Sequence, residues 1–344
     1  MNIRTLGEIA GASVEEITLT GPGGLSARIL TFGARLATLH VPDSTGQLAD
    51  IIVGHDRLED WAACTTFAGA TCGRYSNRIG QGRFVLDGRV IDLTRNEGAN
   101  QLHGGPQGFD RKVWRISAAS DHAVTLAHTS PDGDMGYPGQ LEVRVTYRFD
   151  SEGVFCIVME AETTAPTVVN MVNHAYFNMA GHGSVMAQHL RIAGAHYTAV
   201  DDALIPTGEV ISVAGGPFDF RTLRPIGQSL PGPMGFDHNF CLSEPLQSFA
   251  GEMLRPAAEA VDPVSGRRIA IWTSNPGVQF YSGGYLDESL PGKGGQPIGQ
   301  FGGFALETQF FPDSPNKPQF PSARLDPGQR YRHVMALDLA PVTS

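Results

Sequence analysis

Between Gln140 and Phe149 the chain alternates without a break. Leu141, Val143, Val145, Tyr147 and Phe149 stand against Gln140, Glu142, Arg144, Thr146 and Arg148. A period of two puts the apolar side chains on one face of a strand and the polar ones on the other. Asp150-Ser151-Glu152-Gly153 then reads as a turn, with residues 154–162 as the hairpin partner. A second hairpin is predicted over residues 82–93, with strands 83–86 and 89–93 joined by Asp87-Gly88. That dipeptide suits a type I′ turn, which needs positive φ at both central positions. Residues 27–41 read as two strands bent at Gly33, and residues 123–128, 190–200, 268–273, 278–282 and 331–339 add further strands. One short helix is predicted, over residues 57–63.

Strands this numerous, without strand–helix–strand alternation, predict an all-β fold with large antiparallel sheets packed face to face as a β-sandwich. The 42 glycines and 23 prolines are spread evenly, as turn punctuation between many short strands requires. No linker or tail interrupts the pattern, so residues 1–344 are read as one domain. Gly-Phe-Asp occurs at 108–110 and 235–237, too short a match to define a repeat.

Composition narrows the function. Hydrophobic residues make up 41% and charged ones 17%, with a formal net charge of −10 and no run of like charges. Nucleic acid and anionic membranes both call for a basic face, so neither is expected as a partner. The charge also weighs against a phosphorylated substrate. Lys112, Lys293 and Lys317 are the only lysines, and each stands in a polar, turn-like context rather than the apolar pocket that activates a Schiff-base lysine. Cys64, Cys72, Cys156 and Cys241 form no C-x-x-C pair and are expected as free, mostly buried thiols in a reducing compartment. Residues 1–20 hold Glu8, Glu15 and Glu16 and no signal-peptide core. A soluble, cytoplasmic protein is expected, monomeric or loosely dimeric.

The candidate chemistry centres on residues 304–316. Glu307 is the only charge in the apolar run 301–311, beside Leu306 and between phenylalanines. Desolvation there raises a carboxyl pKa toward neutrality, which is what a general base needs. A paired or solvated Glu at a strand end is the bland alternative. Four more clusters fall in turns or strand ends. In residues 73–80, Asn77 and Arg78 offer hydrogen bonds to vicinal hydroxyls, although such an arginine more often makes a surface ion pair. In residues 96–105, His103 precedes two glycines, where backbone can approach a ligand closely, although a lone histidine is usually structural. In residues 170–178, Asn170, His174 and Asn178 are predicted to share one face of a strand-like stretch that also holds Tyr176, an unusual density of polar groups among apolar ones. Asp237, His238 and Asn239 lie between Phe236 and Phe240, and Gln279 is similarly placed.

This set suits a neutral polyol, with a Glu and a His as base and acid for one proton shuttle. Two histidines and a carboxylate also bind zinc or iron, but H-x-H, H-E-x-x-H and C-x-x-C are absent and no metal is expected. G-x-x-x-x-G-K-[ST], a Rossmann fingerprint and a G-x-S-x-G elbow are absent too. A glycosidase using Glu307 and Asp237 stays open on residue types.

The segments at 73–79 (Gly-Arg-Tyr-Ser-Asn-Arg-Ile), 100–105 (Asn-Gln-Leu-His-Gly-Gly), 173–178 (Asn-His-Ala-Tyr-Phe-Asn), 237–240 (Asp-His-Asn-Phe), 279–283 (Gln-Phe-Tyr-Ser-Gly) and 306–316 (Leu-Glu-Thr-Gln-Phe-Phe-Pro-Asp-Ser-Pro-Asn) resemble, in this order, the motifs of the aldose 1-epimerases, or galactose mutarotases. The resemblance implies a galactose mutarotase-like supersandwich with an open cleft, acting without a cofactor on a free monosaccharide. It implies Glu307 as the base at the anomeric hydroxyl, His174 as the acid at the ring oxygen and His103 as a second histidine that assists at the ring oxygen or orients the sugar. Asn77, Arg78, Asp237 and Gln279 match the family's sugar contacts, with Tyr176 a weaker addition. Ala175 and Met135 depart from the family's usual small hydroxyl and acidic residues, which bears on sugar preference. A sugar-binding module without catalysis, an epimerase of hexose 6-phosphates and a metal-dependent enzyme are the competing readings.

Overall fold

The computed structural model describes residues 2–342. Three sheets dominate: one of five strands over residues 2–50, one of ten strands and one of seven, every pairing within them antiparallel. The alternating stretch forms the strand Leu141–Phe149 near the middle of the ten-stranded sheet, and all five predicted apolar residues are buried. It pairs with Phe155–Thr163, which pairs in turn with Tyr331–Asp338. Val145, Ile157, Met335 and Leu337 from this sheet and Phe240, Val278, Phe280 and Leu306 from the seven-stranded one belong to a single hydrophobic core. The two sheets therefore pack face to face, as the all-β reading requires.

Several predicted strands differ in instructive ways. Residues 190–200 are two strands rather than one. His189–Ile192 pairs with Glu252–Val261 in the ten-stranded sheet, whereas Gly194–Val200 pairs with Asp237–Leu242 in the seven-stranded one. The chain changes sheet at Ala193, whose N–H is held by the Ala257 carbonyl at 2.8 Å. No turn signal separates the two halves in sequence, and periodicity cannot show a change of partner. Residues 170–178 are likewise not one strand. Val172–Asn173 and Tyr176–Phe177 pair with different neighbours, and His174 sits in the gap between them. The hairpin Arg83–Leu86/Arg89–Asp92 forms as predicted, with φ of 50° at Asp87 and 76° at Gly88, and the helix spans Leu58–Ala63.

Lys293 corrects another expectation. It stands in a turn, yet its ammonium group is largely desolvated, held by Asp50 Oδ2 at 2.5 Å and by the Ala37 and Ile52 carbonyls at 2.6 Å. Burial lowers its pKa. It ties residues 283–302 to the strands below and is committed to that task. The four cysteines are free thiols, three buried and Cys241 partly so. No helix among the described residues is long and apolar enough to cross a membrane.

Arg74 holds the loop that leads into the cleft. Its guanidinium is 2% exposed and donates to Ser130 Oγ and to the carbonyls of Ser130, Pro131, Pro138 and Gly139, at 2.6–3.2 Å. It joins residues 130–139 to the segment carrying Asn77 and Arg78. Replacing it with Met orphans those acceptors in the interior. Arg74→Met is expected to destabilise the fold by about 3 kcal/mol, read as a lower midpoint of denaturant unfolding. Arg74→Lys is expected to recover only part of the loss, because an ammonium has three donors and no fork.

Candidate active site

A cleft of about 1040 Å³ opens over one face of the seven-stranded sheet. The register of three neighbouring strands explains why that face is polar. Asp237–Leu242, Gly277–Tyr281 and Phe304–Gln309 pair so that Asn239 lies opposite Gln279, and Gln279 opposite Glu307. Directly paired residues share a face, as do residues two apart. Asp237, Asn239, Gln279, Tyr281, Glu307 and Gln309 therefore project to the cleft side, while Phe240, Val278, Phe280 and Leu306 project into the core.

Glu307 stands on a central strand and is 2% exposed. Its Oε1 is 3.6 Å from His174 Nε2, and its Oε2 has no hydrogen-bond partner in the protein. Burial pushes its pKa well above the usual carboxylate range, with the Asp237 charge adding and Arg78 opposing. The same burial pulls His174 down to about 4, although Asp237 works the other way. The contact has the spacing of an ion pair, but desolvation favours the uncharged forms of both groups. His174 is placed by backbone. Its N–H donates to Ala70 O at 2.8 Å and its carbonyl accepts from the Gly69 N–H at 2.9 Å.

His103 faces His174 edge-on, with ring centroids 5.1 Å apart. Its Nδ1 accepts the backbone N–H of Asn77 at 3.2 Å. A backbone N–H can only donate, so this Nδ1 is unprotonated and the ring's proton is on Nε2. Burial, His174 and Arg78 all hold its pKa well below the ordinary histidine value, so the ring is a fixed neutral donor. Gly104 takes φ of 87°, and a Cβ there would lie 1.9 Å from Gly73 O. The glycine after His103 thus admits a neighbouring backbone segment rather than a ligand, contrary to the sequence expectation.

Arg78 uses Nε and Nη2 on Glu97, both at 2.8 Å, so its fork is not free for vicinal hydroxyls as predicted. Its Nη1 remains, 3.6 Å from Asp237 Oδ2. Asn77 lines the cleft and its Oδ1 accepts the Arg78 N–H at 2.8 Å, leaving its NH₂ for a ligand. The Tyr176 hydroxyl donates to Thr66 O at 3.1 Å, so Tyr176 offers the cleft a ring rather than a hydroxyl. Gln279 does not line the cleft but stands behind Asp237, donating to its Oδ1 at 2.7 Å. Asn170 and Asn178 bind loops: Asn170 Oδ1 accepts from Phe310 N–H, and Asn178 donates to Gly183 O and Gly302 O. His238 packs against Phe218, 4.6 Å between centroids, outside the cleft. Neither Ala175 nor Met135 lines the cleft.

The sequence reading did not single out Phe67, Glu97 or Gln309, and it named Asn239 only as a neighbour of Asp237. Phe67 lies over both histidines, with centroids 4.6 Å from His103 and 6.0 Å from His174. Asn239 and Gln309 were within reach of the period-two rule, since each follows a chosen carboxylate by two positions on a strand. Glu97 and Phe67 lie in loops without a periodic signal.

His103, His174 and Glu307 offer ligand atoms that all lie within 4.8 Å of one another. Their scatter along the chain is therefore no argument against a metal. The His103 hydrogen bond is a better one, because a ring that turns an N–H toward the cleft has no lone pair there to donate. The pairing of an isolated carboxyl with an imidazole, beside a second donor imidazole, instead suits proton transfer on a hydroxylated ligand.

Comparison with known proteins agrees. Residues 15–338 match the family model described as aldose 1-epimerase. The chain is 40% identical to the galactose mutarotase of Rattus norvegicus, over 94% of this chain and 93% of that one. It is 36% identical to the aldose 1-epimerase of Escherichia coli (strain K12), over 92% of each. Among solved structures, an aldose epimerase homologue from C. elegans superposes with a TM-score of 0.88 at 28% identity, covering 95% of this chain and 99% of that one. A galactose 1-epimerase from Lactobacillus acidophilus gives 0.84 at 28% identity, covering 99% and 98%. The chain belongs to the aldose 1-epimerase family.

Proposed function

We propose that this chain is an aldose 1-epimerase acting on free aldoses such as galactose or glucose, with Glu307 as base and His174 as acid. The observation that carries the assignment of roles is the buried Glu307–His174 pair at 3.6 Å, with the two pKa values shifted in opposite directions. Burial favours a protonated Glu307 beside a neutral His174. Moving one proton between them gives carboxylate and imidazolium with the same proton count. A pyranose with its O1 hydroxyl at Glu307 and its ring oxygen at His174 is matched to that second form. Glu307 takes the O1 proton, the C1–O5 bond breaks with its electron pair on O5, and O5 takes the His174 proton as C1=O forms. Rotation about C1–C2 turns the aldehyde over, and reversal of the proton transfers closes the other anomer. The His103 Nε2–H is a second donor for the ring oxygen. Asn77, the Arg78 Nη1 edge and Asp237 supply hydroxyl contacts, and Tyr176 a ring face.

The charge of the cleft supports a neutral sugar over a hexose 6-phosphate. Its walls carry Glu97, Asp201, Asp202, Asp237, Glu307 and Asp313 against Arg78, Arg83 and Lys317, and Arg78 and Lys317 are already paired with Glu97 and Asp313. A two-carboxylate glycosidase is less well supported, because the neighbour of Glu307 is His174 and Asp237 is held by Gln279 and Arg78.

Anomer exchange on equilibrated galactose and glucose, followed by NMR magnetisation transfer on chelator-treated protein, tests the activity. Glu307→Gln is expected to lower kcat by roughly 10³-fold, the range of a lost general base, while sugar binding and thermal unfolding stay near wild type. Unchanged turnover would remove Glu307 from the mechanism. The pH profile tests the pair. One proton shared by Glu307 and His174 is the working inventory. As pH falls through about 4 His174 takes a second proton and no base remains, so kcat/KM declines on that limb. At high pH the pair loses its only proton, at a point displaced above the ordinary carboxylate range. An acid limb centred near pH 6.5, the value of a solvated histidine, would mean that the acid group is not buried.

A further inference from the structure

Behind the cleft wall lies a row of buried amides that the chemistry above does not use. Gln309 is 0% exposed and Asn239 1% exposed. Gln309 Nε2 donates to Asn239 Oδ1 and to Gln279 Oε1, each at 3.1 Å, and Gln279 Nε2 donates to Asp237 Oδ1 at 2.7 Å. The orientation of every amide in this row follows from its cleft end. An ionised Asp237 can only accept, so Gln279 must turn its NH₂ toward it and its carbonyl toward Gln309. Gln309 must then present its NH₂, and Asn239 its oxygen. Asn239 Nδ2 and Gln309 Oε1 are left without a hydrogen-bond partner in the protein. Buried amides with idle atoms are a poor way to stabilise a sheet, and they invite a functional explanation.

We propose that Gln309 is a positioning residue for sugar recognition, acting through Gln279 to hold the Asp237 carboxylate in its ligand-binding rotamer. The inference rests on the epimerase reading. Asp237 has three claims on its two oxygens: Gln279 on Oδ1, Arg78 Nη1 at 3.6 Å from Oδ2, and the ligand. With Oδ1 anchored, Oδ2 is left to the cleft. Without Gln309, Gln279 loses the hydrogen bond to its carbonyl and can turn its amide over, which sets oxygen against oxygen at Asp237. The sugar hydroxyl that meets Asp237 then binds more weakly, whereas Glu307 and His174, which do not touch Gln309, keep their geometry.

The test is a KM-against-kcat comparison across Gln309→Met, Gln279→Met and the double variant, by anomer exchange on galactose and glucose. Gln309→Met is expected to raise KM roughly tenfold, the effect of one weakened hydrogen bond to a charged group, with kcat within about threefold of wild type. In the Gln279→Met background the same change is expected to add nothing to KM, since the path to Asp237 is already cut. A residue that only stabilises the sheet would lower the unfolding midpoint and the active fraction but leave KM alone. Unchanged KM, or full additivity with Gln279→Met, would overturn the proposal. Should Gln309→Met fail to fold, Gln309→Leu, which likewise has no donor for Gln279 Oε1, takes its place, with the same KM increase expected and an unchanged KM again overturning. Wild-type protein that exchanges no sugar would instead sink the epimerase reading, so the two failures are separable.

Discussion

The structure depends on keeping one carboxyl group, that of Glu307, out of water on a central strand. A carboxylate stripped of solvent is costly unless it is paired or neutralised. Here the group that meets it, at 3.6 Å, is an imidazole that is itself desolvated. Neither group can be charged cheaply alone, yet the pair can carry one proton in two ways that differ by a single transfer. That near balance would be lost if water reached the site or a full cation lay against Glu307. Arg78, the one nearby cation that lowers its pKa, is held away by two hydrogen bonds to Glu97. The sheet supplies the necessary dryness, because the strands on either side cover the edges of Phe304–Gln309 and the core covers its back.

Orientation around that carboxyl is set by groups that cannot change their minds. The main chain of His174 is held by Gly69 and Ala70, and the His103 ring by the Asn77 N–H. Backbone donors fix a tautomer more firmly than a hydroxyl would, since a hydroxyl can reverse its role. The same logic runs through Asp237, whose acceptor-only charge orders the amides behind it. Two arginines four positions apart show how closely structure and site are interwoven here. Arg74 spends its donors on five carbonyl and hydroxyl oxygens inside the fold, whereas Arg78 keeps one edge for the cleft.

Much of this was legible in the sequence. Strict alternation at 141–149, Asp87-Gly88 and the isolation of Glu307 are local signals with local causes, and the structure bears out the strand, the turn and the burial. What escaped was set by tertiary partners. Only the alternation escaped in Phe155–Thr163, a strand read from the turn before it, because Cys156 and Val158 are buried on its outer face with Leu254 and Val334. The N-terminal strand Asn2–Ile9 is exposed or only half-buried along its length and so carries no buried stripe to read. The break at Ala193 and the gap at His174 depend on which sheet each half joins. At the site, Asn77, His103 and His174 were readable although all three stand outside regular strands, whereas Phe67 and Glu97 were not. Arg78 was chosen as a free fork because nothing in its own segment reveals Glu97, nineteen positions away, as its partner.

The gap at His174 shows why an irregular backbone serves the chemistry better than the continuous strand that periodicity predicts. Within a regular strand, a residue between Asn173 and Ala175 would point either into the core or squarely across the sheet. Breaking the strand lets Val172–Asn173 and Tyr176–Phe177 join different partners, and the residues between them turn out of both ladders. Backbone groups released from the ladders still need partners, and Gly69 and Ala70 provide them. Gly69 sits at φ of 69°, and a Cβ there would lie 2.3 Å from Leu36 O, so only glycine brings that loop close enough to receive His174. The position of His174 thus rests on a glycine outside the cleft lining, a dependence that neither the histidine nor its own segment discloses.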